Sequence, residues 1–167
     1  MSAEQNGAAM ESLAHNYEAK GQHYLATPLF LQALTLSPPR SCHSVILMNN
    51  LATSLAQQRP LPAPGSSHPA PTVDQLRKQA HQWATKAITL AATIQPPERN
   101  EECDAGCAAA THNLGEFAEM DRNFQEARKR YNEARGLAAA VGFSEGVMNA
   151  DAALSRLKKD ETISNPA

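Results

Sequence analysis

Residues 113–134 read NLGEFAEMDRNFQEARKRYNEA, and their spacing describes two short helices packed against each other. Leu114 and Ala127 are thirteen residues apart, and Ala127, Tyr131 and Ala134 then fall at i, i+4 and i+7 on one helix face. The frame recurs near the start of the chain, where Leu13-Ala14 is followed by Tyr17, Gly21, Ala26, Phe30, Ala33 and Pro38. Leu13 to Ala26 is again thirteen residues, and Ala26, Phe30 and Ala33 repeat the four-then-three step. Small residues let two helices approach closely, while Tyr17, Phe30 and Tyr131 fill the space beside them. In the later copy the register predicts a seam with Ala127 facing the preceding helix, Leu114 and Tyr131 beside it, and Gly115 at the close contact.

This pattern resembles the tetratricopeptide repeat, a helix-turn-helix unit of about 34 residues with small and bulky residues at these places. A degenerate copy lies between the two good ones. Its first helix holds Met48, Leu51, Ala52 and Leu55, and its second Ala80, Trp83, Ala84, Ala87 and Ile88. The tight turn between them is replaced by residues 59–72, RPLPAPGSSHPAPT, which contain five of the eleven prolines. Such a segment cannot form a helix and is expected to be mobile or extended over 60–71. Loop-closure entropy rises only about 0.6 kcal/mol per doubling of length, so the two helices still pair across it.

The resemblance implies an all-α fold: a tetratricopeptide-like right-handed superhelix of three helix pairs plus a C-terminal capping helix. As one domain over residues 7–159, it would place repeats at about 7–38, 41–94 and 98–140 and the cap at 144–159. Local signals give the helix ends. The first pair spans roughly 7–20 and 24–36 and stops before Pro38-Pro39. Pro28 conflicts with the second of these unless it lies in the first turn. Ser41 caps the next helix, Thr72 with Gln75 forms a capping box for a helix reaching Thr93, and a helix starting at Glu98 or Glu101 runs to Met120. Asn123 with Glu126 caps the helix ending near Ala140, Gly142 is a left-handed terminator, and Ser144 caps the last helix. That helix sets Val147, Ala150, Leu154 and Leu157 on one face. Asp151, Arg156 and Lys158 face away as a solvating surface.

Composition narrows the partners. A formal charge of −2, from 15 basic and 17 acidic residues, gives no reason to expect a nucleic-acid partner. No run of about 18 apolar residues is present, so this stretch is not expected to span a membrane. The start, MSAEQNGAAMES, lacks the basic and apolar segments of an export signal.

In proteins of this resemblance the first helix of each pair lines the inner face of the stack. The matching positions are Glu11, His15 and Glu18 in the first pair, Asn49, Asn50 and Thr53 in the second, and His112, Asn113, Glu116 and Glu119 in the third. The implied peptide-binding groove is polar and mildly acidic, suited to a protein or extended peptide client with amide, hydroxyl or basic groups. Taken singly, each of these residues reads first as an exposed helix position, and their common face is the stronger argument. Reversing Glu116 or Glu119 to Lys is expected to spare the fold and weaken such a client. Relatives that bind acidic chaperone tails carry Lys and Arg on this face. Here Glu11, His15, Asn50, Ala109 and Asn113 occupy those places, which argues against that role.

A narrower resemblance joins CDAGCAAATHNLGEFAEM (103–120), GFSEGVMNADAALSRL (142–157) and the Pro-rich interruption, covering residues 10 to 158. These are similar to the fungal tetratricopeptide subunit that serves as substrate adaptor of the mitochondrial inner-membrane i-AAA protease. The resemblance implies a place on the intermembrane-space side of that membrane, with AAA protease subunits as partners.

Catalytic chemistry is thin. Cys103 and Cys107 lie at i, i+4, but a zinc site needs about four ligands and would have to recruit Cys42, His43 or His81 from other helices. Cys107 reads as a packing residue and Cys103 as an exposed one. A Cys103–Cys107 link would stretch disulfide geometry, and three cysteines leave one thiol unpaired. The glycines make no phosphate loop, and the scattered histidines make no triad with a serine or cysteine. Neither an enzyme nor a bound cofactor or metal is expected. The expected function is a non-catalytic protein- or peptide-binding adaptor, with a structural docking subunit of a larger complex as the alternative.

Overall fold

The computed structural model describes residues 2–61, 67 and 69–164, with side chains through residue 158. Seven helices follow one another: α1 (Ala3–Ala19), α2 (His23–Leu36), α3 (Cys42–Gln57), α4 (Val73–Thr93), α5 (Glu101–Met120), α6 (Phe124–Ala140) and α7 (Ser144–Ser164). Among the described residues there is no strand. Packing of α1 on α2, α3 on α4 and α5 on α6 makes three helix pairs, and α2–α3, α4–α5 and α3–α5 contacts stack them into an all-α helical repeat solenoid. Helix α7 closes the stack against α6 and touches α5.

Side-chain caps set the starts. Ser41 accepts from the Ser44 amide, Asn123 from that of Glu126, and Thr72 with Gln75 forms the full capping box. A box that the sequence reading passed over, Ser2 with Gln5, starts α1 at Ala3 instead of residue 7. Asn100 accepts from the Glu102 and Cys103 amides, which selects Glu101 as the start of α5. Helix α7 begins at Ser144 itself and runs on to Ser164.

Pro28 sits six residues into α2, and the helix continues through it. Beside it Thr27 places its hydroxyl 2.9 Å from the His23 carbonyl, 2.9 Å from Gln58 Oε1 and 3.2 Å from Ser54 Oγ. The start of α2 is thereby stitched to the end of α3. Within the Pro-rich stretch, residues 59–61, 67 and 69–71 are non-helical, as expected, while residues 62–66 and 68 lie outside the described residues.

The core is a file of alanines with a few large side chains between them. Ala14, Ala26, Phe30, Ala33, Leu51, Ala52, Leu76, Ala80, Ala84, Leu114 and Phe117 form one cluster, and Ala118, Ala127, Tyr131, Ala153 and Leu157 another. This corrects the predicted seam at one place. Ala127 and Tyr131 pack together, but Leu114 turns toward the earlier repeats and Gly115 takes its place under Tyr131. A Cβ on Gly115 would stand 2.7 Å from the Tyr131 ring, so only glycine admits that ring here. On α7, Ala150, Ala153 and Leu157 are buried whereas Val147 and Leu154 are only half-buried.

One further expectation is overturned. Cys103 is fully buried and bonded to Cys42, not exposed, because the first turn of α5 faces α3. Arg156 is exposed with Asp151 and Lys158, as expected, and has a second role. It reaches back from α7 to Glu119 of α5.

Candidate functional site: the inner faces of the first helices

The ten groove positions fall into three sets. On α1, Glu11, His15 and Glu18 belong to a chain of alternating imidazoles and carboxylates. His43 Nε2 is 3.1 Å and His15 Nε2 3.8 Å from Glu11, and Glu18 is 3.2 Å from His15 and 3.9 Å from His23. His43 therefore ties α3 to α1, a link the helical spacing did not reveal.

The second set joins α3 to α5. Asn113 Nδ2 donates to Asn49 Oδ1 at 2.8 Å and to Thr53 Oγ1 at 2.9 Å. One amide thus fixes the register of two neighbouring inner helices. Asn50 is half-buried beside them with no hydrogen bond of its own to this network.

The third set faces α6 and α7. His112 lies 3.6 Å from Glu116 and its ring rests on Tyr131 at a centroid distance of 4.9 Å. Its buried Nδ1 has no hydrogen-bond partner among the described residues. Glu119 accepts from the Tyr131 hydroxyl at 2.7 Å and from two Arg156 nitrogens at 2.8 and 2.9 Å. The Arg156 bonds hold the Glu119 carboxyl below its ordinary range. Burial, together with Glu119, pushes the Tyr131 phenol well above its usual value, so its O–H remains a donor.

Between the second and third sets lies a pocket of about 250 Å³. Asn49, Ala109, His112 and Asn113 form one side of it, and Phe143, Glu145 and Asn149 the other. The second wall, from the α6–α7 turn and the first turns of α7, is the part that sequence reasoning missed. Its signal was present in the helix order: α7 follows the second helix of the third pair, where the first helix of a further pair would stand. Glu116 and Glu119 instead border a separate depression with Gln57, Met120 and Arg156. Glu11, His15 and Glu18 line neither opening.

Reversal of Glu119 is consequently not a surface change, contrary to expectation, because its carboxylate joins α5, α6 and α7. Among the described residues no helix is long and apolar enough to cross a membrane.

No family model matches the chain. A TPR repeat-containing protein of Schizosaccharomyces pombe (strain 972 / ATCC 24843) is 38% identical over 166 residues, covering 96% of this chain. The chain spans less than half of that relative's length, 44%. Helical spacing, the alanine seam and this relative agree that the chain is built of tetratricopeptide-type helix pairs.

Proposed function

We propose that the chain is a non-catalytic adaptor that binds an extended segment of another protein along the inner faces of α1, α3 and α5. The observation that supports this most is the pocket of about 250 Å³ between α3, α5 and α7. The amides of Asn49, Asn113 and Asn149 and the Glu145 carboxylate border it. Such groups match the donors and acceptors of an extended peptide backbone and its amide or basic side chains. In this reading Glu11, His15, Glu18, Asn50, Thr53 and Glu116 add polar contacts outside the pocket, and Glu119 ties α5 to α6 and α7.

The finer reading is presentation of substrates to the mitochondrial inner-membrane AAA protease from the intermembrane-space side. The family resemblance supports it, and so does the buried Cys42–Cys103 disulfide, since such bonds persist in oxidising compartments.

Photo-crosslinking tests the proposal. A photoreactive side chain at Ala109, inside the pocket, is compared with one at Lys86, on the exposed side of α4. Adduct formation from Ala109 that falls about tenfold in Asn113→Ala or Asn149→Ala supports the adaptor reading, as expected when a few contacts dominate binding. Adducts from Lys86 alone, indifferent to both substitutions, would replace it with a docking subunit held by its outer faces. Protease subunits or their unfolded substrates among the adducts would support the finer reading, and chaperone tails would end it.

A further inference from the structure

Cys42 is the first residue of α3 and Cys103 lies in the first turn of α5, and a disulfide joins them across a sequence separation of 61. Both are buried, in one apolar cluster with Val45, Ala87, Ala91 and Ile94. The chain between them leaves α3 through the Pro-rich segment, returns as α4, and crosses to α5 through residues 94–100. Direct fastening of α3 to α5 is otherwise left to side chains. Two to three turns beyond the disulfide, the same two helices meet again where Asn113 donates to Asn49 and Thr53. Between these two levels Gly106 of α5 lies against Val45 and Ile46 of α3, so close that a Cβ would stand 2.9 Å from Ile46. The inner helices are therefore pinned covalently at one end and by an amide at the middle, with close packing between.

We propose that the Cys42–Cys103 bond is a redox-controlled brace of the inner face: oxidation locks α3 in register on α5, and with it the Asn49–Asn113 pairing that borders the pocket, and reduction releases both. The consequence for partner binding rests on the adaptor reading, whereas the effect on α3 and α5 does not. The bond forms by exchange with a disulfide donor, a dithiol–disulfide oxidoreductase or oxidised glutathione. One cysteine thiolate attacks the donor disulfide, and the second displaces the donor from the mixed disulfide. The two cysteines lose two electrons and two protons, and the donor leaves reduced by the same amount. Because both sulfurs are buried, exchange in either direction passes through local opening of the first turn of α5. Cys107 stands one turn along the same helix, and burial raises its thiol pKa. It is thus a poor attacker of the neighbouring bond, which protects the Cys42–Cys103 pairing from rearrangement.

Thiol trapping and hydrogen exchange test this on the full chain. Acid-quenched alkylation of the protein isolated from its own cells is expected to modify Cys107 alone. Modification of all three cysteines there would overturn the proposal. Without any partner, reduction is expected to speed amide exchange about tenfold or more over residues 42–50 and 103–113, leaving α1 unchanged. The thermal midpoint should fall by about 5–15 °C. The double variant Cys42→Ser/Cys103→Ser should match the reduced chain, and Cys107→Ser the oxidised one. If the double variant does not fold, reduction of the unsubstituted chain by a phosphine supplies the same readout. Identical exchange in both redox states overturns the brace even if crosslinking from Ala109 succeeds. Redox-dependent exchange without crosslinking upholds the brace and rejects the adaptor reading alone.

Discussion

Arg122 carries a backbone conformation that glycines carry at the two comparable turns. The α1, α5 and α6 helices end alike: the amides of Gln22, Asn123 and Phe143 bond back to Tyr17, Ala118 and Ala138, and those of Gly21, Arg122 and Gly142 to Glu18, Glu119 and Ala139. This paired closure needs a left-handed residue, which is Gly21 at φ 69°, Gly142 at φ 71° and Arg122 at φ 58°. A side chain there costs about 1–2 kcal/mol, partly repaid by the lower chain entropy that a non-glycine residue has when unfolded. Arg122→Gly is therefore expected to raise the thermal midpoint by about 1–3 °C, and a fall would show that Arg122 has a compensating contact. Two helical glycines make the opposite test. Gly136 faces open space, so Gly136→Ala should stabilise by about 0.5–1 kcal/mol. Gly115 lies under a Tyr131 ring that is buried and bonded through its hydroxyl to Glu119, so the ring cannot swing aside. Gly115→Ala should cost about 1–3 kcal/mol by overpacking. Chemical denaturation of the two variants checks the sign of each.

At the scale of elements, α7 is held, among the described side chains, by its apolar face and by two ion pairs. Ala150, Ala153 and Leu157 are buried against the preceding helices, Arg135 of α6 meets Asp151 at 2.6 Å, and Arg156 meets Glu119 at 2.8 Å. The first pair is half-exposed on both sides and contributes little. The second is two-pronged and also anchored to Tyr131, so Arg156→Ala is expected to cost about 1 kcal/mol. Its pH dependence follows from the carboxylate. Glu119 has a lower pKa in the folded chain than its ordinary 4.5, so its contribution is complete above that value and is lost as pH falls through the lower folded one. Melting curves of the two proteins should differ by a constant amount between about pH 6 and 8 and converge in acid below the ordinary glutamate range. A gap that persists when every carboxylate is protonated would assign the loss to packing of the Arg156 stem instead. Glu119→Lys should destabilise more than Glu116→Lys, because only Glu119 joins three helices.

Over the whole molecule, stability comes from neighbouring helices pressing small residues together, and long connections are tolerated. The Pro-rich segment illustrates this. Leu61 and the described residues around it are mostly exposed, while α3 and α4 meet through Leu51, Leu55, Leu76 and Ala80. Replacing residues 60–70 with a short flexible turn, keeping the Thr72–Gln75 box, is expected to change stability by less than about 1 kcal/mol. A large drop in thermal midpoint would show that the segment packs along the solenoid. The helices and their pairing were legible along the chain because their causes are local: a cap three residues from its partner, an alanine every third or fourth residue, a proline pair after a helix. Thr72 with Gln75 and Ala127 with Tyr131 are of this kind. Cys42 with Cys103, Asn113 with Asn49, Arg156 with Glu119 and His43 with Glu11 are not. Each of these pairs joins helices whose relative rotation depends on all the packing between them, and a rotation of one residue, about 100°, would separate the partners. The repeated spacing therefore predicts the solenoid and the face that lines it, while the contacts that pin one inner helix to the next, and the pocket they enclose with α7, exist only once the stack has closed.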